Sequence, residues 1–432
     1  MDIRPVSAEG KTLGGLDFFW LWAGVAISLA EIWAGGFLAP MGFWLALGAI
    51  ILGHVFGNTL MALGGVIGSD HGIPAMVSVR PSFGVRGSNF ASILNVVQLV
   101  CWASIMLIIG GRAGAMLGEP IGGIFASNRF WILCIGAGTL GWALFTGQRV
   151  WKILQAGAVI GLLAVISILS FETYQSFINS PDAMRPHTGD GPTLPFMAGL
   201  DLVIAMPISW LPLVADYSRF AHRGRGAFWS TWWGYFLVSS WMFVLGLMAT
   251  LVTGTAEPHI QMLELMGSLG LAVPALLMVV FSTITSDFPD LYSATCSMLN
   301  VSDQIDSKKM SAKAFLWITG IVSILVALVF PMERYENFLY FIGAMFVPLF
   351  GIVLTDYFLV RKRKLDLEEL YQTQGAYWYS NGFNLTALIA WAAGFATYEL
   401  IETLEYPVGA SLPSIAVSAF LYYCYTLIRS RR

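Results

Sequence analysis

Four oxygen-bearing side chains stand close together in the apolar stretch FSTITSDFPDLYSATC at 281–296. They are Ser282, Thr285, Ser286 and Asp287, which fall within two turns of a helix. A small hard cation such as Na+ takes oxygen ligands, and hydroxyls together with the carbonyls of an interrupted helix supply them. The alternative is that the hydroxyls bond back to carbonyls of their own helix. The pattern favours a cation site, provided that an interrupted helix lies opposite.

Two carboxyl groups, Glu31 and Asp287, lie deep in apolar stretches. A charged side chain at the middle of a membrane costs roughly 2.5 to 3.5 kcal/mol on insertion scales, so it needs a reason to be there. We predict that both groups accept hydrogen bonds from an amino-substituted heterocycle or carry a proton; the alternative is that they cap helix ends. Asp201 is expected to be structural, and Asp216 is expected to pair with Arg219 at i,i+3.

Aromatic and amide side chains accompany these groups, since Gln98 precedes Trp102 on one apolar stretch and Trp210 follows Ser209 on another. A planar heterocycle is held by stacking on rings and by hydrogen bonds at its edge. The alternative is that these tryptophans are interfacial or packing residues. The five histidines and four cysteines are dispersed, so no enzyme site, zinc site or disulfide framework is predicted. His54 is expected to be a packing residue.

The composition places these residues in a membrane protein. Of the 432 residues, 57% are hydrophobic and 11% charged, against about 25% charged in ordinary soluble domains. No basic block of the kind that binds nucleic acid is present. At about 20 residues a crossing, the apolar stretches predict twelve spans: 16–38, 42–68, 86–116, 130–147, 150–171, 196–221, 227–253, 272–300, 312–331, 335–360, 383–400 and 411–428.

The basic residues orient these spans. With the N-terminus in the cytoplasm, 19 of the 23 Lys and Arg residues fall in segments on the cytoplasmic side and 4 on the other side. Such a bias is the usual mark of the inner side of a membrane. We therefore expect both termini in the cytoplasm of a bacterial cell, with the chain a monomer in the inner membrane.

The starts of the spans repeat. Spans 1 to 5 and spans 6 to 10 begin 180 to about 190 residues apart, which predicts two five-span repeats of opposite orientation, because an odd number of crossings inverts the second copy. Span 6 carries Pro207 and Pro212 on either side of Ser209, and prolines remove backbone donors. A helix break is predicted there. Subtracting about 181 from Ser209 gives Ser28, within GVAISLAEIWAGG at 24–36.

Matched interruptions in two repeats point to a transporter site at their interface. The alternative is that the small residues only let helices pack closely. At 1.5 Å per residue, the side chains of Ser28, Trp102, Ser209 and Thr285 lie at the middle of the bilayer, and we predict that they share one cavity.

Four motifs carry a family resemblance: RPSFGVRGS at 80–88, LVADYSRF at 213–220, STITSDFPDLYSA at 282–294 and PLFGIVLTDYFLVRKRK at 348–364. In this order they resemble the nucleobase:cation symporter 1 family of cytosine, purine, allantoin and hydantoin permeases. The resemblance implies an all-α polytopic membrane protein of the LeuT type, with a 5+5 inverted repeat, discontinuous spans 1 and 6, and two C-terminal helices. It also implies that Trp102 stacks on the substrate, and that cation ligands come from the carbonyls of Gly24, Ile27 and Ser282 and the hydroxyls of Thr285 and Ser286.

Within this family, SLAEIWAGGFLAPMGF at 28–43 and MPISWLPLVADYSRF at 206–220 are most similar to the branch assigned to hydroxymethylpyrimidine, the thiamine precursor. Pro207 stands where cytosine permeases have an aromatic residue, and Ser282 where they have Asn. We expect Na+ symport of a small pyrimidine, with substrate contacts from Ser28, Glu31, Gln98, Trp102, Ser209, Trp210 and Asp287. The alternative is a permease for cytosine or another purine, pyrimidine or hydantoin, coupled to protons.

The predicted organisation has seven parts. They are a cytoplasmic N-terminus (1–15), a first repeat (16–171), an extracytoplasmic loop (172–195), a second repeat (196–360), a cytoplasmic loop (361–382), two further spans (383–428) and a cytoplasmic C-terminus (429–432).

Overall fold

The computed structural model describes the backbone of residues 3–145, 148–180, 183, 193–303, 310–404 and 406–430, and their side chains except at 144–145, 148–156, 286 and 429–430. Within these ranges the chain forms helices and loops and no β-strand. The first two helices are α1 (Gly15–Ala26) and α2 (Leu29–Gly36). The others follow in chain order: α3 (Phe43–His71), α4 (Ala75–Ser78), α5 (Arg80–Phe83), α6 (Ser88–Gly118), α7 (Asn128–Phe145), α8 (Gln148–Ile178), α9 (Phe196–Ser218), α10 (Gly224–Thr253), α11 (Pro258–Gly267), α12 (Ala272–Ser286), α13 (Phe288–Ser302), α14 (Ala312–Ala327), α15 (Tyr335–Leu354), α16 (Leu385–Thr403) and α17 (Ser411–Ser430).

Helices occupy each of the twelve predicted spans. In the described part of the chain, eight helical stretches are long and apolar enough to cross a membrane, if α12 and α13 are counted as one stretch. The bent pair α1 and α2 is a ninth candidate if the two helices are counted as one span. Crossing by α7, α14 and α16 stays a prediction. Helix α8 continues to Ile178, so the loop predicted at 172–195 begins later than the sequence indicated.

The first span is interrupted at the predicted place. Helix α1 ends at Ala26, and the chain bends by 58° before it continues as α2. Ser28 has an extended backbone, with φ −141° and ψ 138°, and its hydroxyl accepts a hydrogen bond from the amide of Ala30 at 3.2 Å. The side chain therefore caps the start of α2, where the first amides of a helix have no partner within it.

The predicted break in span 6 is wrong, because α9 is one helix that contains both Pro207 and Pro212. A membrane helix tolerates prolines where its neighbours supply partners for the displaced backbone groups. Here Gln98 of α6 donates to the carbonyl of Ser209 at 2.8 Å, and Asn95 donates to that of Pro212 at 3.4 Å. Amide side chains of α6 thus fasten α9 on either side of Leu211, and the helix continues through both prolines.

Glycines bring the central helices into backbone contact. A Cβ at Gly57 of α3 would lie 2.4 Å from Pro207 of α9, and one at Gly246 of α10 would lie 1.8 Å from the carbonyl oxygen of Ile32 in α2. Small residues at such positions allow membrane helices to approach closely. Helices α2, α3, α9 and α10 therefore form a tightly packed core against which the remaining helices lie.

Residues 3–14 run across one end of this bundle. The amide of Val6 donates to Gly72 O and that of Leu13 to Phe220 O, both at 2.9 Å. Tyr371 donates to the carbonyl of Ile3 at 2.7 Å. We call this end, where α3 and α9 finish, the N-terminal face.

Candidate functional site

A cavity of about 310 Å³ lies beside the break between α1 and α2, where the two helices face α6, α9 and the junction of α12 with α13. Nine of the predicted site residues line it: Gly24, Ile27, Ser28, Glu31, Trp102, Ser209, Trp210, Thr285 and Asp287. Gln98 and Ser282 do not belong to the lining, and the side chain of Ser286 lies outside the described residues. The four residues that the sequence placed at one depth thus meet at one cavity.

Trp102 presents a fixed ring to this cavity. Its indole packs edge-on against Tyr335 and Phe338 of α15, with ring centroids 5.9 and 5.3 Å apart. The side chain is 8% exposed, and its Nε1 has no partner among the described residues. A buried indole normally finds a hydrogen-bond partner, so Trp102 has both a face and a donor available for a ligand.

Helix α9 contributes a hydroxyl and a second indole. Ser209 donates to the carbonyl of Met206 at 2.6 Å, and Trp210 Nε1 donates to the hydroxyl of Tyr235 at 3.0 Å. Gln98 reaches the cavity wall indirectly, since it donates to the carbonyl of Ser209 and to Asn95 Oδ1. Its Oε1 is buried without a partner in the described part of the chain. Gln98 therefore positions α9 from behind the cavity.

Asp287 is the most exceptional group at the site. It forms the junction between α12 and α13, is 1% exposed, and neither of its carboxyl oxygens has a hydrogen-bond partner within the described ranges. Asp290 lines the same cavity one turn later. Buried carboxyl groups are nearly always paired. The cavity-facing Asp287 is thus suited to receive hydrogen-bond donors from a ligand.

The predicted cation ligands divide into two groups. Gly24 and Ile27 lie at the end of α1, where helix carbonyls lack partners within the helix, and the amide of Ile27 donates to Gly24 O at 3.3 Å. On α12, Thr285 donates to the carbonyl of Ser282 and Ser282 donates to that of Val279, both at 3.0 Å. The hydroxyls thus bond to their own helix, but each oxygen keeps lone pairs that can contact a cation.

Glu31 lies at the start of α2 and is 2% exposed. Its carboxyl group is bound by Tyr235 and Ser239 of α10. The sequence identified Glu31 as a site residue but gave no sign of these partners, which are about 200 positions away in the chain.

The two ends of the cavity differ. Its lining continues toward the N-terminal face along Trp20 and Tyr217, which sequence reasoning did not select. On the opposite side, Trp33 of α2 lies under the guanidinium of Arg112 at 5.3 Å, and Arg112 pairs with Glu257 at 2.6 Å. The lining thus extends to Trp20 and Tyr217, toward the N-terminal face, but does not include Trp33 or Arg112.

Comparisons with known proteins agree with this architecture. A putative allantoin permease of Escherichia coli (strain K12) is 25% identical over 430 residues, which cover 89% of this chain and 85% of the relative. A cytosine permease from the same strain is 26% identical over 368 residues, which cover 83% of this chain and 81% of the relative.

Among solved structures, the chain is similar to Mhp1, a nucleobase-cation-symport-1 family transporter, in a closed conformation with bromovinylhydantoin bound. The TM-score is 0.85 at 20% identity, with 99% of this chain and 95% of Mhp1 covered. The chain therefore has the fold of that transporter. Residues 5–424 match the family model described as a permease for cytosine/purines, uracil, thiamine and allantoin. The chain belongs to this family of nucleobase:cation symporters.

Proposed function

We propose that the protein imports a small planar aminopyrimidine, hydroxymethylpyrimidine, together with Na+. The observation that carries the proposal is the carboxyl group of Asp287, which is buried without a partner in the described part of the chain and lines the same cavity as Trp102. The thiamine precursor branch and the coupling ion go beyond the family assignment.

Hydrogen-bond complementarity supports the aminopyrimidine. A neutral carboxyl group presents one donor and one acceptor side by side. The N–C–NH2 edge of a 4-aminopyrimidine presents the matching acceptor and donor. With its ring on Trp102, such a molecule would satisfy both oxygens of Asp287, and sites that hydrogen-bond a substrate reject analogues that lack the matching group.

The position of the cation ligands supports coupling to Na+. Gly24 and Ile27 end α1, and Thr285 lies on the facing helix at the same cavity. A cation held between the end of α1 and α12 orders the wall on which the substrate rests. Its binding then raises substrate affinity, and by linkage the substrate raises cation affinity equally.

Transport then proceeds by alternating access in the bacterial inner membrane, with both termini in the cytoplasm and the protein acting as a monomer. The N-terminal face is the cytoplasmic face in this proposal, because the basic residues concentrate in segments on that side. The cavity, which extends toward that face, would then release its substrate inward.

Thermal unfolding of the purified protein tests substrate and ion together. We expect hydroxymethylpyrimidine to raise Tm more in NaCl than in choline chloride, and more than cytosine, uracil, allantoin or hydantoin does. A larger shift with one of those compounds would replace the proposed substrate by the alternative. A shift that is equal in choline and depends on pH would replace Na+ by protons.

A tryptophan substitution tests the stacking surface. Trp102→Ala should remove ligand-induced stabilisation while the protein still folds, because a base stacked on an aromatic ring loses roughly 1–3 kcal/mol when the ring is removed. Trp229→Ala, at a side chain that is 48% exposed on α10, is the matched control and should bind normally. Equal ligand affinity in the two variants would exclude Trp102 from the site.

A further inference from the structure

A chain of buried polar groups leads from the cavity wall into the interface of α2, α3 and α10. Tyr235 donates to Glu31 Oε1 at 2.6 Å and accepts from Trp210 Nε1 at 3.0 Å. The other oxygen of Glu31 pairs with the hydroxyl of Ser239, which also contacts Nε2 of His54 at 2.6 Å. Glu31 is 2% exposed, and Tyr235, Ser239 and His54 are fully buried. His54 is therefore more than the packing residue that the sequence suggested.

Counting donors and acceptors gives the number of protons that Glu31, Ser239 and His54 share. His54 Nδ1 lies 2.8 Å from the carbonyl oxygen of Ile50, which can only accept, so Nδ1 carries a proton. If His54 is neutral, its bare Nε2 takes the single hydroxyl proton of Ser239, and the contact between Ser239 and Glu31 then needs a proton on Glu31. If Ser239 instead donates to an ionised Glu31, His54 Nε2 must be protonated. Both arrangements hold one proton more than an ionised Glu31 with a neutral His54.

We infer that Glu31, Ser239 and His54 form a binding site for one exchangeable proton at the wall of the cavity. Because Glu31 lines the cavity, the proton exchanges with the water there. Without it, one of the two contacts of Ser239 sets two acceptors against each other, which weakens the attachment of α2 to α3 and α10. The site is separate from the proposed cation ligands, and the inference does not depend on the identity of the substrate.

Other titratable groups lie around Glu31, Trp33 and the cavity, and any test must separate their protons from this one. Tyr335 of α15 donates to the carbonyl of Ala30 at 3.0 Å, beside Glu31. The remaining groups are Tyr235 on α10, Arg112 on α6, Glu257 just before α11, His259 on α11, and Asp287 and Asp290 at the junction of α12 with α13.

Glu31→Gln isolates the proposed proton. The amide oxygen of glutamine can accept from Tyr235 and its N–H can donate to Ser239, so the variant reproduces the protonated geometry without a titratable group. Both proteins are unfolded with sodium dodecyl sulfate at pH 8 in weakly buffered solution that contains a pH indicator. The wild type should release one more proton than Glu31→Gln, because an unfolded glutamate is ionised and an unfolded histidine neutral at this pH.

A surface carboxylate provides the control. Glu264→Gln, at an exposed position on α11, should release as many protons as the wild type, since this side chain is in contact with solvent in the folded protein as well as in the unfolded chain. Equal release from the wild type and Glu31→Gln would overturn the inference.

The pH dependence of stability gives the same test by another route. Where the native state binds more protons than the unfolded chain, stability falls as pH rises. Above pH 7, each increase of one pH unit should lower the folding equilibrium constant of the wild type by up to tenfold relative to that of Glu31→Gln. Parallel pH profiles would contradict the site.

If Glu31→Gln does not fold, 15N-histidine NMR of the wild type decides, with the signal of His54 assigned by its loss in His54→Gln. The inference requires either a proton on each ring nitrogen, or a proton on Nδ1 alone together with the carboxyl 13C signal of a protonated Glu31. A neutral ring protonated on Nε2, or one protonated on Nδ1 beside an ionised Glu31, would refute it.

Discussion

Replacement of Gly246 by alanine tests how closely α10 must pack against α2, the second helix of the interrupted first span. The added Cβ would lie 1.8 Å from the carbonyl oxygen of Ile32, whereas real Cβ contacts are essentially never shorter than 3.0 Å. The two backbones must therefore separate by at least 1.2 Å, the difference between those distances. The neighbouring contact is also close, because a Cβ at Gly35 of α2 would lie 2.2 Å from the carbonyl oxygen of Phe243 in α10.

The energetic cost follows from this separation. A gap of roughly 0.5–1 Å already removes a quarter to a half of the attraction between packed atoms, and overpacking a well-packed interior costs about 1–3 kcal/mol. At about 2 cal/mol/K of unfolding entropy per residue, a chain of this length loses roughly 1–3 °C in Tm. The same displacement draws Glu31 away from Tyr235 and Ser239, so the loss should exceed the steric contribution alone.

Thermal unfolding in detergent measures this effect against a matched glycine. Gly157 of α8 has no atom within 4 Å of an added Cβ, and Gly→Ala within a helix stabilises by roughly 0.5–1 kcal/mol. Gly157→Ala should therefore melt at or slightly above the wild-type temperature, and Gly246→Ala below it. Two variants of equal stability would refute the close contact between α10 and α2.

Three further outcomes are expected. Burial lowers the pKa of His259 to about 4, against the opposing effect of Glu257. Between pH 6.5 and pH 4 this histidine therefore binds a proton in the unfolded chain but not in the folded protein. The Tm of the wild type should fall over this range more steeply than that of His259→Gln. Arg80 is fully buried and pairs with Asp303 at 3.6 Å, so Arg80→Gln, which removes the cation of this pair, should lose about 3–5 kcal/mol of stability in denaturant titrations. Asp287→Asn should retain aminopyrimidine binding in equilibrium dialysis, because an amide also offers a donor beside an acceptor, whereas Asp287→Leu should weaken it roughly 10- to 100-fold.

Sequence reasoning predicted one interruption correctly and failed for the other. The interruption at Ser28 was predicted from the offset between the two repeats, in a stretch that contains several glycines, and the extended backbone at Ser28 confirms it. At Pro207 and Pro212 the prolines gave an equally clear signal, but α9 continues through both and is fastened there by Gln98 and Asn95, which lie more than 100 positions earlier in the chain. The tendency of proline to interrupt a helix describes an isolated segment. In α9 the contacts with other helices outweigh it.

For the site, too, features that depend on one helix could be predicted from the sequence, and contacts between helices could not. The depth of Trp102 along α6 could be counted from the sequence, and both it and Asp287 line the cavity. The junction at Asp287 had a signal in Pro289, which enters the first turn of α13, but no break was predicted there. The partners of Glu31 could not be predicted, because a hydrogen bond to Ser239 on another helix leaves no periodic trace in the sequence.

The close contacts at glycines bear on the proposed alternating access, because they tie several helices together. Helices α2, α3, α9 and α10 contact one another through backbone at glycines such as Gly57 and Gly246, and packed interiors of this kind shift as units rather than deform. Helix α1 belongs to the same group, because a Cβ at Gly234 of α10 would lie 2.6 Å from the carbonyl oxygen of Phe19. The hydrogen bond from Trp210 to Tyr235 also ties the cavity wall of α9 to α10, so these helices should move together when access to the cavity changes.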